Sequence, residues 1–500
     1  MSKKTAYDKL VDWFDVKFGF AKTPLKPIPD FALNPIYWLG LLLAVTFGLQ
    51  ALTGIFMLLY YVPTPAQAYS STASVISSVP LGSLVETIHL YGAYAMVLLT
   101  FLHLVRNYFG SAHKGDRDLM WLAGVVLAVI VISFAVTGYL LPWTVISKAA
   151  ADFAIGLLNF FPAGITNLGK FVALGSGSNA SEITTFLHIH TVFLPLALIA
   201  FLALKIYMYE VHGPAYVSAY GKPKSGKYHP WFPKVFLYAV MLFSVYIAIL
   251  LAAASLFPLV LPPAYSAATA GQYVAKPDWY LLWLYQLMKI QIFGGSAAVY
   301  VIAAVLVFGV LLFLLPFYDR SKRRNLSQRP VFATIGFILI VELITLTIWG
   351  YLTPGQVIPN YQAVLVLGGV AALTAVTVLS VYRLRGKMKA ANSQAPSAMQ
   401  SQSTPDSTAQ SKVSAQKKKG FLKDAKNAGE SILNKFTAVF VVFLAVASVS
   451  LASVVNMLPN ILASAPFFVL ALAAFAVSSF FMCSMLRSFV LAYEQVETNR

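Results

Sequence analysis

His89 and His103 stand fourteen residues apart in one apolar stretch. At about 100° and 1.5 Å per residue, fourteen helical steps end about 40° from the starting direction and roughly 21 Å further along. Two imidazoles then point to one side at two depths, which suits two stacked haems, each needing an axial nitrogen. Isolated interhelix hydrogen bonds are the plainer use of such a pair. The period recurs in glycines: Gly40 and Gly54 share one apolar stretch, Gly124 and Gly138 another. A glycine inside a helix costs about 1 kcal/mol relative to alanine. Repetition at the histidine spacing argues for a flat group pressed against bare backbone, whereas ordinary small-residue packing needs no matching period. A fourth stretch offers His188 and His190 near its start, and Lys205 fifteen residues after His190. At the depth of His103 it holds no histidine. A lysine in a bilayer core snorkels, pairs with an acid or faces water. Burial among apolar groups also favours a neutral amine, which can donate to iron. Lysine ligation, a haem held by His103 alone, and no second haem all remain open.

Elements of membrane length must position these residues. Of the 500 residues, 59% are hydrophobic and 11% charged, against about 25% charged in soluble domains. That excludes a soluble enzyme, a disordered chain and a coiled coil. Apolar runs long enough to cross a bilayer predict ten helices, over about 36–61, 87–109, 119–142, 186–209, 235–258, 294–317, 331–351, 362–382, 436–458 and 466–490. If the N-terminus is cytoplasmic, 31 of the 36 basic residues fall inside, as the positive-inside rule asks. Lys148, Lys170, Lys276 and Lys289 fall outside and Lys205 lies within a span. The net charge of +18 therefore fixes a multi-pass topology in the plasma membrane, with both termini cytoplasmic, and calls for no nucleic acid. The polar start is too long for a cleavable signal. Residues 7–20 read as an interfacial amphipathic helix, residues 392–416 as a disordered linker, and Lys417 to Lys419 as a contact with anionic lipid. A single cysteine, Cys483, excludes an intrachain disulfide or a thiolate cluster.

Thr137-Gly138-Tyr139-Leu140-Leu141-Pro142-Trp143, Pro277-Asp278-Trp279-Tyr280, His103-Leu104-Val105-Arg106 and Leu187 to Pro195 together resemble cytochrome b of the Rieske–cytochrome b complexes, which oxidise quinols. The likeness covers roughly residues 5–385. The last two motifs, with Asp12-Trp13-Phe14, are most similar to the photosynthetic branch. It implies an all-α polytopic membrane protein: a diheme four-helix bundle over 36–233 after an interfacial segment 1–35, then four further helices with the quinol-site loop over 234–385. A polar linker, 386–435, and a helix hairpin, 436–500, complete the chain. His89 and His190 would ligate an outer haem and His103 an inner one, with Lys205 at its partner position and Arg106 near a propionate. Haem could be b-type or a-type.

The same resemblance makes Asp278 the proton acceptor for quinol, with Tyr280 and Tyr139 as pocket groups, Pro277 and Trp279 beside the ring, and Pro142 and Trp143 shaping the wall. Asp278 at the start of a helix would also suit the positive helix end. A Rieske iron–sulfur protein would take one electron, since this chain lacks the ligands for such a cluster. Haem–copper oxidase subunits are a further expected partner, and the family's homodimer has no identifiable face here. Two departures stand out. Glu86 occupies the place of a propionate-binding basic residue. The loop around His212 and His229-Pro230-Trp231 lacks the acid of the inner quinone site, which puts quinone reduction there in doubt. Outer loops hold few carboxylates, as suits an acidophile, and an archaeal source is expected. The competing readings are a transporter gated by Lys205 and Glu342, or a haemless anchor subunit.

Overall fold

The computed structural model describes residues 27–157, 179–214, 228–266, 268, 273 and 276–394, with residues 9, 12, 13, 15 and 16. Eight of its helices are long and apolar enough to cross a membrane: α1 (Pro35–Leu58), α2 (Gly82–Phe109), α3 (Asp118–Leu140), α4 (Glu182–His212), α5 (Trp231–Leu256), α6 (Gly295–Phe313), α7 (Pro330–Leu352) and α8 (Asn360–Leu384). Each matches an expected span to within a few residues. The expected ninth and tenth helices, the linker, Cys483 and most of the amphipathic start lie outside the described residues. Residues 1–379 with 481–500 form one compact unit and 380–480 a second, of which the described part is helix up to Gln394.

In lipid every backbone polar group must be satisfied within the segment, so apolar runs of this length become helices. Pro35 and Pro330 stand in opening turns, where a missing N–H costs little. Pro195 acts differently. It has no N–H for the carbonyl of Thr191, and its ring crowds that carbonyl. Just before it, α4 widens into a π-helical turn over Ile189–Phe193, with the Leu194 N–H bonded to the Ile189 carbonyl.

α1 packs chiefly on α2, α3 on α4, and α2 on α3, which makes α1–α4 the bundle. α5 leans on α2 through Ile88, Tyr91, Leu250 and Ala254. α7 is fixed at both ends by glycine. A Cβ on Gly336 would meet Tyr108 Cε1 at 2.6 Å, and one on Gly350 the Leu282 carbonyl at 2.6 Å. α7 thus ties α2 to the short helix Leu282–Met288 that follows the Pro277–Tyr280 segment.

The end of the bundle that carries Arg106 and Arg117 is basic. There β1 (Ile28–Pro29) pairs antiparallel with β2 (Tyr228–His229), a two-residue departure from an all-helical fold. Asp319 accepts from His113 Nε2 at 2.7 Å, from Lys114 Nζ at 2.9 Å and from Arg329. Burial pushes the Asp319 carboxyl up, but the hydrogen bonds from Lys114 and His113 and the charges of Arg329 and Lys114 outweigh it and hold it below the usual carboxylate range. The α2–α3 turn and the α6–α7 turn are stapled by this hub.

Candidate functional site

Each glycine of the fourteen-residue pairs faces one candidate ligand. On α1, a Cβ built on Gly54 would lie 3.3 Å from His89 Cε1, and one on Gly40 would lie 3.3 Å from His103 Cε1. On α3, Gly138 stands in the same way 2.7 Å from His190 Cε1, and Gly124 2.8 Å from Lys205 Nζ. α1 makes room for α2 and α3 for α4, at two levels. In this structure each of these glycines lies against the candidate ligand side chain itself.

At the level away from the basic end, the rings of His89 and His190 lie 6.3 Å apart between centroids. His89 Nδ1 is 2.8 Å from the Thr53 hydroxyl, and His190 Nδ1 is 3.0 Å from the Thr137 hydroxyl. With both Nδ1 atoms engaged, Nε2 is the nitrogen each ring leaves for a metal. His188 is exposed, so of the two neighbouring imidazoles it is His190 that enters the bundle. At the other level His103 Nδ1 is buried without a hydrogen-bond partner among the described residues. Among the described residues Lys205 makes no ion pair either, and its amine lies against Gly124. Arg106, 8% exposed, bonds Asn107 Oδ1 at 2.8 Å and covers the Tyr37 ring at 4.2 Å.

The fifteen-residue step from His190 to Lys205 has a structural explanation. The π turn over Ile189–Phe193 absorbs one residue, so α4 presents both groups to α3 as a fourteen-residue step would. The middle of the bundle shows the same offset. Phe47, Met96 and Val131 stand midway between their paired residues, seven from each. Leu198 is eight from His190 and seven from Lys205. These four belong to one apolar cluster with Ile130, Val97 and Tyr280, which separates the levels. Four cradles that a methyl would close or crowd, two imidazoles above, and an imidazole and an amine below form a donor set that fits haem at both levels.

A second constellation lies at the end away from the basic cluster. Asp278 heads the turn Trp279–Leu281 but makes no side-chain cap bond. Its Oδ1 instead accepts from the Tyr94 hydroxyl at 3.0 Å. Tyr280, 7% exposed, donates to the Ala135 carbonyl at 3.1 Å. Trp279 packs edge-on to Tyr94, with ring centroids 6.1 Å apart, and its Nε1 is buried without an acceptor among the described residues. Tyr139 and Tyr280 both feel the Asp278 charge. Burial pushes the Asp278 carboxyl up, and the Tyr94 hydrogen bond and the Lys276 ammonium pull it back, leaving it at about 6. A carboxyl at that value exchanges protons near neutrality.

Pro277 and Pro142 are half-buried. Trp143 takes a left-handed backbone conformation, φ 52°, a strained one for a bulky residue. Its ring packs with Ala68, Ile183, Tyr61 and Tyr265 beneath Lys148, so it braces the loop and does not touch Asp278. Sequence reasoning missed Tyr94, Thr53 and Thr137; the threonines have a visible signal, each directly preceding an outer glycine. Glu342 has both carboxyl oxygens buried without hydrogen-bond partners among the described residues. It forms no ion pair with Lys205, which leaves the gated-transport reading without its pair.

Comparison with known proteins gives one answer along most of the chain. The family profile described as cytochrome b/b6/petB matches residues 26–213, and that of cytochrome b (C-terminal)/b6/petD matches residues 267–378. Cytochrome b of Sulfolobus acidocaldarius is 33% identical over 391 residues, 72% of this chain and 69% of that one. The cytochrome bc complex cytochrome b subunit of Chlorobaculum thiosulfatiphilum is 27% identical over 68% of this chain and 81% of its own length. A solved structure titled Hyperthermophilic respiratory Complex III shares the fold, with a TM-score of 0.58 and 24% identity over 74% of this chain and 96% of that chain. With two matched profiles meeting a glycine-cradled bundle, the chain belongs to the cytochrome b family, multi-pass membrane proteins that carry electrons on haem.

Proposed function

We propose that this chain is the cytochrome b subunit of a respiratory quinol-oxidising complex, in which quinol is oxidised beside Asp278. The observation that carries this reading is the Asp278 carboxylate itself, held among aromatic hydroxyls on the side of the bundle where His89 and His190 meet. Oxidising a quinol to a quinone releases two protons and two electrons. Asp278 is the base for one proton; one electron passes to a Rieske iron–sulfur partner and the other into the bundle. Haem, b-type or a-type, supplies one-electron carriers at the two levels. His89 and His190 would hold the outer one, and His103 and Lys205 the inner one. Thr53 and Thr137 bond the outer Nδ1 atoms and so favour one tautomer, Arg106 would pair with an inner propionate, and the apolar cluster around Met96 and Leu198 separates the levels. With the basic end in the cytoplasm, protons leave on the outer face.

The test is Asp278→Asn in the assembled complex. Quinol oxidation should fall by about 100-fold or more, the contribution of a positioned base, with the haem absorption spectrum unchanged. Full activity in that variant contradicts the assignment.

A further inference from the structure

Asp278 has an unexpected anchor. A proline-led acidic residue at the head of a helical turn ordinarily turns its carboxylate onto the N–H groups of that turn. Asp278 does not do so; it reaches to α2 and takes the Tyr94 hydroxyl at 3.0 Å, a partner 184 residues away. Among the described residues no other side chain hydrogen-bonds it, although the Lys276 charge still acts on it. From its own segment, the Lys276 ammonium sits 4.2 Å over the Tyr351 ring of α7, and the Tyr280 hydroxyl is spent on the Ala135 carbonyl. From α3, Tyr139 faces Asp278 without a hydrogen bond to it. Tyr94 itself is held by its ring, edge-on to Trp279 and stacked on Tyr91 at 6.3 Å. Its helix is also the one that carries His89, five residues earlier.

We propose that Tyr94 is a positioning residue for the quinol site: its hydroxyl holds the Asp278 carboxylate against the His89 helix, away from the helical turn that would otherwise claim it. This rests on the reading of Asp278 as the quinol base. Tyr94 touches no substrate in this account and acts through Asp278 alone. A donor to the charged form makes that form easier to keep, so removing it makes Asp278 hold its proton to higher pH.

Tyr94→Phe keeps the ring and both ring contacts and deletes the hydroxyl. In the assembled complex, the acid limb of the pH–rate profile should move up by about one pH unit, the effect of losing one hydrogen bond to a charged group. Haem spectra should not change. In an Asp278→Asn background the same substitution should have no further effect on the residual rate, because the two residues act as one unit. An unmoved acid limb overturns the inference, as does an equal effect in the Asp278→Asn background. Loss of haem from Tyr94→Phe also overturns it, because a hydroxyl that only positions Asp278 leaves the bundle intact. If Tyr94→Phe is silent while Asp278→Asn is slow, only the role of Tyr94 fails. If Asp278→Asn is fully active, the outer-site reading fails with it.

Discussion

Lys205 differs from the three histidines at its sister positions in carrying its nitrogen at the end of a flexible four-carbon stem. That stem lets the amine reach the Gly124 cradle, and on the proposed reading this nitrogen would ligate iron. Lys205→His should therefore keep a six-coordinate inner haem with an altered spectrum, whereas Lys205→Ala should lose or convert it; the absorption spectra of the two variants check this. The outer level invites a contrasting substitution. Thr53→Val and Thr137→Val remove the Nδ1 partners of His89 and His190, and such supporting bonds are worth about 10–100-fold in metal affinity. Haem loss on dilution should appear at the outer level alone. The histidines of α2 and the glycines were legible because chemistry and period coincide within single helices, and Lys205 because an ionisable group inside a span is itself a signal. Tyr94 was not, because nothing local marks a tyrosine whose partner comes from a loop 184 residues later.

At the scale of elements, α4 is where a regular period fails as a guide. Counting at 3.6 residues per turn puts Lys205 one residue out of register with His190, and the apolar run itself shows no reason for the extra residue. The π turn before Pro195 supplies the missing register, in keeping with the tendency of such bulges to mark functional sites. Deleting Val192 should convert that turn to regular helix and leave the two ligand positions fourteen residues apart, in the register of the other pairs. Both haems should be kept, and redox titration should still resolve two; loss of either one would contradict this account of the register. α1, α2 and α3 needed no such correction, since their apolar runs and fourteen-residue pairs obey one period. The spans themselves were legible from composition, because a bilayer leaves the backbone one local solution.

The whole molecule is sorted by charge, with its basic loops at one end and few charges at the other. Asp319 turns that asymmetry into structure, joining two halves of the fold through His113, Lys114 and Arg329. Its carboxyl is held low in the folded protein, so the stability it contributes is present at neutral pH and is lost as pH falls below about 4. Asp319→Asn should lower the thermal stability of the detergent-solubilised complex at pH 7 and remove this part of its acid sensitivity. Two haem levels with unlike axial ligands are the centre of the account. Near-infrared magnetic circular dichroism of the oxidised complex reports axial ligation for each low-spin haem. One bis-imidazole haem together with one imidazole–amine haem is the predicted result; two bis-imidazole haems, or a protein without haem, would contradict it.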